Sequence, residues 1–413
     1  MSEEKNVEIT TVKVKQKKVV KVLGKAALWT LAALVGLVGL ALVWAFLSYP
    51  AAYLARSIAW GDSDVYDYQK FPSRPLAASS TPFYFKEEPA EAMVQALFEQ
   101  NPAISDLDNF LEQTETQAFI VIQNDSILYE RYFNGASRDT IVTSFSCAKQ
   151  WDSALIGAAI DDGYIQSVND PITDYLPELA ERDPAFAEIT IYDLLRMSSG
   201  IEYDGLGGLD GDDSKTYYYP DLRKLAIEET TVVDSPGSGF LYNNYHPLLM
   251  GIILERATGM SVTDYLEARI WQPIGMEFDG SWSLDSEASG FEKMESGING
   301  RAIDFAKFGR LFLNNGVWDG TQVLPADWIA ESTSPDTDSV GYLPYYKYGW
   351  ESKVRGDSDY DYYAEGHYGQ EIYVSPHSNL IIVRNGEAYG DFGQYWPDIF
   401  YQFASAIELE TGD

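Results

Sequence analysis

From Ala26 to Ser48 the chain reads AALWTLAALVGLVGLALVWAFLS, 23 residues with no charge and no polar face. At ~1.5 Å rise per residue, a helix of that length crosses a hydrocarbon core of ~30 Å. Trp29 and Trp44 stand near its ends, where amphipathic rings favour the membrane interface. A cleaved signal peptide is the rival reading, since Ala51 and Ala52 follow closely, but its apolar region is normally ~7–15 residues. The pattern predicts a transmembrane anchor over 26–48. Residues 49–90 mix Pro, Ser, Tyr and Asp without a period and read as a stalk or linker.

After the stalk the pattern becomes that of a folded body, 91–413. AEAMVQALFEQ has helical spacing, then QAFIVIQ and ILYERYF flank Asn124-Asp125-Ser126 as a β-hairpin. Helices are predicted over 146–161 and from Tyr245 to Thr258, the latter closed by Gly259. YYAEGHYGQEIYV and NLIIVRNG are strand-like, separated by Ser375-Pro376-His377-Ser378, and a last helix runs from about Trp396 to Leu409. Strands near both ends of the body and a helical middle over about 160–335 imply an α+β fold: an antiparallel sheet flanked by helices, with a second, mainly helical lobe.

Composition narrows the chemistry. With 413 residues and 46% hydrophobic content the chain can bury one large or two ordinary domains. Cys147 is the one cysteine, so neither an intramolecular disulfide nor a cysteine-based metal site forms, and His246, His367 and His377 are too few for a histidine-rich metal centre. No cofactor is implied. Residues 1–25 carry seven lysines and three glutamates, a net +4, so the rest of the chain holds −38 of the total −34. So acidic a body repels phosphate backbones and argues against nucleic acid as a partner. All the lysines beside the anchor lie on its N-terminal side, which keeps residues 1–25 in the cytoplasm and exports the body.

Three short segments carry candidate chemistry. Ser146 and Lys149 are three apart at the start of a predicted helix and therefore share a face. A serine hydroxyl is a poor nucleophile until a base removes its proton, and a lysine serves only if burial or a nearby cation favours its neutral form. The helix start also offers free N–H groups to an oxyanion. Alone the pair is weak, since Ser-x-x-Lys arises by chance about once in a chain of this size and also fits a capped helix with a solvated lysine. The second segment, Leu241-Tyr242-Asn243-Asn244-Tyr245, follows Pro236-Gly237 and enters an apolar helix. Tyr242 can shuttle protons beside a lysine, and Asn244 can donate to a substrate carbonyl or hold the lysine. The plainer reading is an ordinary cap and a packed ring. The third segment is Gly366-His367-Tyr368-Gly369-Gln370, opening a late strand. A glycine there lets backbone approach a substrate, and the Gln370 N–H can join that of Ser146 as an oxyanion donor. A glycine bulge is the alternative.

In this order the three segments resemble the serine β-lactamase and penicillin-binding-protein superfamily, whose members carry Ser-x-x-Lys, then Tyr-x-Asn or Ser-x-Asn, then Lys-Thr-Gly or a variant. Leu194–Gly200 (LLRMSSG), Pro236-Gly237 and Gly251–Glu255 (GIILE) fit as well, and the likeness covers about residues 91–410. The tyrosine form is similar to class C β-lactamases and their esterase and peptidase relatives. The Gly-His-x-Gly-Gln form is similar to the branch of 6-aminohexanoate-dimer hydrolases and related esterases. The resemblance implies a β-lactamase/transpeptidase-like fold and a serine hydrolase acting through an acyl-enzyme on Ser146. Lys149 and Tyr242 would move the protons, while Asn244, His367, Gly369 and Gln370 would line the substrate.

The departure from Lys-Thr-Gly matters. A lysine there attracts the carboxylate of a β-lactam or peptide terminus, whereas histidine at pH 7 is mostly neutral. The expected substrate is a small ester or amide, with β-lactams and D-Ala-D-Ala-type peptides as the alternative. A catalytically silent penicillin-binding-like module, or a scaffold resting on the acidic surface, would not need all three segments. A sensor would need more cytoplasmic output than 25 residues supply. His246 and His377 read as structural or exposed, and Cys147 as a small core residue. Gly205–Asp213 (GLGGLDGDD) misses the EF-hand spacing and reads as a mobile loop at the cleft edge. No Gly-x-Ser-x-Gly elbow occurs, which argues against an α/β-hydrolase.

Overall fold

The computed structural model describes residues 2–336, 346–356, 359–390 and 392–411, and the chain falls into two units, Met1–Gly61 and Asp62–Asp413. In the first, Ser2–Ser48 is one helix (α1), and a short helix, α2, follows at Ala51–Ala59. The lysine-rich tail and the predicted anchor are thus one helical rod, whose Val20–Ser48 stretch is long and apolar enough to cross a membrane. Leu31, Leu37, Leu40 and Phe46 are all exposed on it. In water such a surface is costly; lipid removes the cost.

In the second unit the strands are β1 Ser73–Leu76, β2 Lys86–Glu87, β3 Thr116–Gln123, β4 Ser126–Tyr132, β5 Val142–Thr143, β6 Gly280–Ser283 and β7 Ile298–Gly300. After them come β8 Val317–Trp318, β9 Thr321–Gln322, β10 Tyr346–Lys347, β11 Trp350–Val354, β12 Tyr360–Gly366, β13 Gln370–Ser375 and β14 Leu380–Gly386. The main sheet runs β10-β11-β12-β13-β14-β3-β4-β2. The chain ends meet where β14 pairs antiparallel with β3, from Leu380↔Gln123 onward. The β3–β4 turn places Asn124 and Asp125 at φ 53° and 59°, a left-handed pair that Asn and Asp tolerate. Helices α3 (Glu91–Phe98) and, at the C-terminus, Trp396–Thr411 cover one face of the sheet. There Phe98 stacks on Phe403 at 4.1 Å beside buried Phe119, Val121, Tyr373 and Ile382.

Helix α4 (Ala148–Asp161) is buried over nearly its whole length, with Trp151 stacked 3.7 Å from Phe308. It packs against α5 (Tyr245–Thr258), which ends with Gly259 at φ 70°, as the sequence predicts. A smaller sheet, β1-β6-β7-β5, lies in the same unit.

One expectation is corrected. The stalk predicted over 49–90 belongs to the body from Asp62 onward: Ser73–Leu76 pairs with Gly280–Ser283, and Leu76 is fully buried. A four-residue strand containing Pro75 carries too little periodicity to be read locally; its pairing partner, two hundred residues away, defines it. The mainly helical lobe expected over about 160–335 also carries the short strands β6, β7 and the β8–β9 hairpin. The segment 362–374 is a hairpin, with residues 367–369 turning β12 into β13.

Candidate active site

Ser146 lies in a 3-10 turn, Phe145–Cys147, squeezed between β5 and α4. Its approach is fixed on both sides. The Ser144 N–H donates to the Ile298 carbonyl at 2.8 Å, and the Ser144 hydroxyl accepts from the Ile298 N–H at 3.1 Å, tying the segment to β7. Phe145 takes φ 43°, a left-handed conformation that a bulky residue adopts only when its surroundings demand it. Its ring meets His367 and Tyr368 edge-on at 5.7 and 5.4 Å.

Lys149 follows one helical turn later and is 3% exposed. Its Nζ donates to Ser146 Oγ at 3.0 Å and to the Glu295 carbonyl at 3.2 Å, and it sits 4.7 Å from the centre of the Tyr242 ring. The predicted serine, lysine and tyrosine therefore converge. Tyr242 is 37% exposed, so the group is open to solvent and substrate on that side. The Tyr242 ring in turn leans edge-on against Tyr346, at 6.2 Å.

Across from Ser146 stands the β12–β13 hairpin. Gly366 is what lets it come so close: a β-carbon there would collide with the Ser144 carbonyl oxygen and press to 3.2 Å on the Ser146 nitrogen. Gly369, the glycine singled out from sequence, has a different task. At φ 73° it closes the turn, and a β-carbon would strike the guanidinium of the fully buried Arg384, whose Nη1 donates to the Gly369 carbonyl at 2.6 Å.

Gln370 is the residue whose N–H was expected to serve an oxyanion. It is 1% exposed, pairs with Gly366 across the hairpin, and its side chain is spent on the Gly386 carbonyl (2.6 Å) and Asn385 (3.0 Å). Its own carbonyl accepts from Cys147 Sγ at 3.3 Å, which accounts for that buried thiol. The turn at 367–369 ends at Gln370, which opens β13.

His367 lies between Phe145 and Tyr389, with the Tyr389 hydroxyl 3.3 Å from its Nδ1. Burial pushes its pKa below the ordinary histidine value, and the nearby Asp213 only partly opposes this, so the ring is neutral at pH 7. His246 is buried against Ser199, 2.6 Å from its hydroxyl, and burial pushes its pKa down to about 3. His377 pairs with Glu408 at 2.7 Å on the far side of the sheet turn. Neither touches Ser146.

Asn244 does not hold Lys149. Its Nδ2 donates to the Tyr203 hydroxyl at 2.8 Å and toward Asp213 at 3.4 Å, and its Oδ1 is buried without a donor among the described residues. The capping work falls to its neighbour: Asn243 Oδ1 accepts from the Tyr245 N–H at 2.8 Å, and Nδ2 donates to the Ile201 carbonyl at 3.0 Å. Gly205–Asp213 is stitched down at its ends, by the Asp204 N–H on Asp212 (2.8 Å), the Tyr245 hydroxyl on Asp212 (2.8 Å) and the Tyr203 hydroxyl on Asp213. Among the described residues no cluster of three His, Cys, Asp or Glu side chains is set to hold a metal. Sequence reasoning missed Tyr203, Tyr346 and the Glu295 carbonyl, which belong to segments with no motif of their own, and gave Asp213 no role beyond the loop at the cleft edge. Gly366 stood inside a recognised motif but was assigned no contact.

The β-lactamase family profile matches residues 104–387. Among characterised proteins, the chain is 26% identical over 338 residues to 6-aminohexanoate-dimer hydrolase from Paenarthrobacter ureafaciens, covering 75% of this chain and 80% of that protein. It is 30% identical over 189 residues to esterase EstB from Burkholderia gladioli, covering 41% of this chain and about half (47%) of the esterase. In fold, it superposes on a Bacillus anthracis protein provisionally named a 6-aminohexanoate-dimer hydrolase with a TM-score of 0.70 at 23% identity, over 88% of this chain and 96% of that one. A family VIII carboxylesterase matches with a TM-score of 0.56 at 18% identity, over 78% and 97% of the two chains.

Proposed function

The chain belongs to the β-lactamase family and is one of its serine hydrolases, and we propose that it is a membrane-anchored one that cleaves small esters or uncharged linear amides through an acyl-enzyme on Ser146. The observation that carries this reading is the contact of buried Lys149 with Ser146 Oγ at 3.0 Å, under the Tyr242 ring and facing the Gly366 hairpin.

In its amine form Lys149 takes the Ser146 proton as Oγ attacks the carbonyl carbon. The resulting oxyanion is held by the Ser146 N–H and by the N–H that follows Gly366, that of His367, in place of Gln370. Lys149 then returns the proton, by way of the Tyr242 hydroxyl, to the leaving oxygen or nitrogen, and the carbon–heteroatom bond breaks. Water attacks the acyl-enzyme with the same groups acting in reverse, releasing the acid and restoring Ser146. Asn244, Tyr203 and Asp213 form the opposite lip, where a polar substrate group can be bound.

Substrate preference follows from the third segment. The neutral His367 gives no fixed cation to a substrate carboxylate, and Asp213 adds a negative charge nearby. A charge-assisted contact is about twice as strong as a neutral one, so anionic β-lactams lose more here than esters do. The anchor is read from the exposed apolar stretch Val20–Ser48, and the lysines before it support a catalytic body outside the cytoplasmic membrane.

The test is labelling by a fluorophosphonate probe together with kcat/KM on a p-nitrophenyl ester and a chromogenic cephalosporin. The wild-type chain is expected to be labelled and to prefer the ester, and Ser146→Ala to lose labelling and turnover with an unchanged circular dichroism spectrum. A folded Ser146→Ala protein that still turns over ester would refute the mechanism. A tenfold preference for the cephalosporin would refute the assignment of substrate.

A further inference from the structure

Asp152 lies one turn beyond Lys149 on α4, at the spacing where oppositely charged side chains on a helix normally pair. They do not pair. Lys149 spends its hydrogen bonds on the Ser146 hydroxyl and the Glu295 carbonyl, both uncharged. Asp152 is fully buried, and neither of its carboxylate oxygens has a donor among the described residues. A carboxylate buried without a donor from the protein is among the most costly arrangements an interior can hold, and the group avoids it by keeping its proton.

The charged and titratable groups that act on Asp152 come from three elements. Lys149 on its own helix favours ionisation, Glu295 from the segment before β7 opposes it, and the buried Tyr346 of β10 lies within its field. Burial outweighs the lysine, so the carboxyl stays well above the usual carboxylate range.

We propose that Asp152 rests as a neutral carboxylic acid and thereby leaves Lys149 without a counter-ion, making it a positioning residue for the base. The proposal rests on the reading of Lys149 as the group that accepts the Ser146 proton. An ionised Asp152 would stabilise Lys149 as an ammonium, which has no lone pair to receive that proton. A neutral acid exerts no such hold, and the hydrogen-bond partners left to the amine are the nucleophile and one main-chain carbonyl. Asp152 itself gains or loses nothing during turnover.

The full-length chain in detergent micelles can be examined by infrared difference spectroscopy at neutral pH. The wild type and Ser146→Ala are both expected to show the carbonyl stretch of a carboxylic acid free of hydrogen bonds, and Asp152→Asn to lack it. Because the band is read without turnover, it decides the state of Asp152 even if the serine mechanism fails. The second readout is the acid limb of kcat/KM for ester hydrolysis. With Asp152 already neutral, Asp152→Asn should leave that limb where it is. If the wild type instead holds an ionised pair, the variant's limb moves to lower pH by about a unit or more, a tenfold change in rate at a fixed pH on the limb. That shift, or the absence of the acid band in the wild type, overturns the proposal. Should Asp152→Asn fail to fold, Asp152→Ser supplies the same comparison.

Discussion

The two walls of the cleft are built in different ways. On one, Ser146 and the Gly366 hairpin are positioned by main chain on main chain: Ser144 is tied to Ile298 by two hydrogen bonds, and Gly366 is pressed on the backbone of the nucleophile turn. On the other, Tyr242 and Asn244 are positioned by side chains, a ring over the Lys149 nitrogen, a ring beside Tyr346, an amide on Tyr203. Backbone contacts cannot adjust by changing rotamer, whereas side-chain contacts can. The difference teaches which atoms must be held to a fraction of an ångström, the nucleophile and the oxyanion donors, and which serve while retaining some freedom, the proton shuttle and the substrate-reading lip.

If that contrast is right, damage to the first wall should cost more. Gly366→Ala introduces a β-carbon with backbone on two sides, so the hairpin must back away from Ser146. Losing an oxyanion donor costs about 10²–10³ in rate, and kcat on the ester should fall by about 10³ with KM little changed. Full activity in Gly366→Ala would show that the hairpin is not a wall of the site. On the second wall Tyr242→Phe keeps the ring over Lys149 and removes only the hydroxyl. A loss of ~10² in kcat is expected, larger for an amide than for an activated ester, whose leaving group needs less protonation. An equal loss on both substrates would argue that Tyr242 packs and does not shuttle.

Legibility in the sequence divides along a related line. The Ser146–Lys149 spacing, the helix from Tyr245 to Thr258 and the Asn124-Asp125 hairpin were readable because each rests on local geometry that a few neighbouring residues fix. Within the motif 366–370 the turn at 367–369 was not legible, since Tyr368 at φ 64° gives no sign of it in its residue type. Asn244 looked like a lysine partner because its distance from Tyr203 cannot be read along the chain. Asp152 was passed over for the opposite reason: three residues from a lysine on a helix it looks like half of a solvated ion pair, and only its burial makes it unusual. The strand Ser73–Leu76 was lost to the stalk because it is defined wholly by its distant partner.

The smallest expected effect concerns stability and sharpens the contrast from the side of pH. Behind the first wall, Glu351 on β11 stands opposite Tyr363 on β12 and accepts its hydroxyl at 3.0 Å, while Glu365 and the buried Glu371 face each other across β12 and β13. Burial, and then the charge of Glu365, push Glu351 up to about 7, from 4.5 for a free glutamate. A folded-state pKa above the unfolded one means that the unfolded chain gives up its proton first. The stability associated with Glu351 is therefore complete below about 4.5 and is lost as pH rises through about 7. The second wall has no counterpart, because burial and Asp213 or Asp212 push the Tyr203 and Tyr245 phenols upward, away from the neutral range. Glu351→Gln, neutral at every pH, should match the wild type at pH 5 and exceed it at pH 8. The gain should be about 1–3 kcal/mol, reduced by whatever solvent reaches the carboxyl and by repulsion from Glu365 and Glu371 that remains. Thermal melts of the two full-length chains at both pH values measure it. A gain of the same size at pH 5 as at pH 8 would mean that the substitution acts through packing and that Glu351 does not titrate in this range.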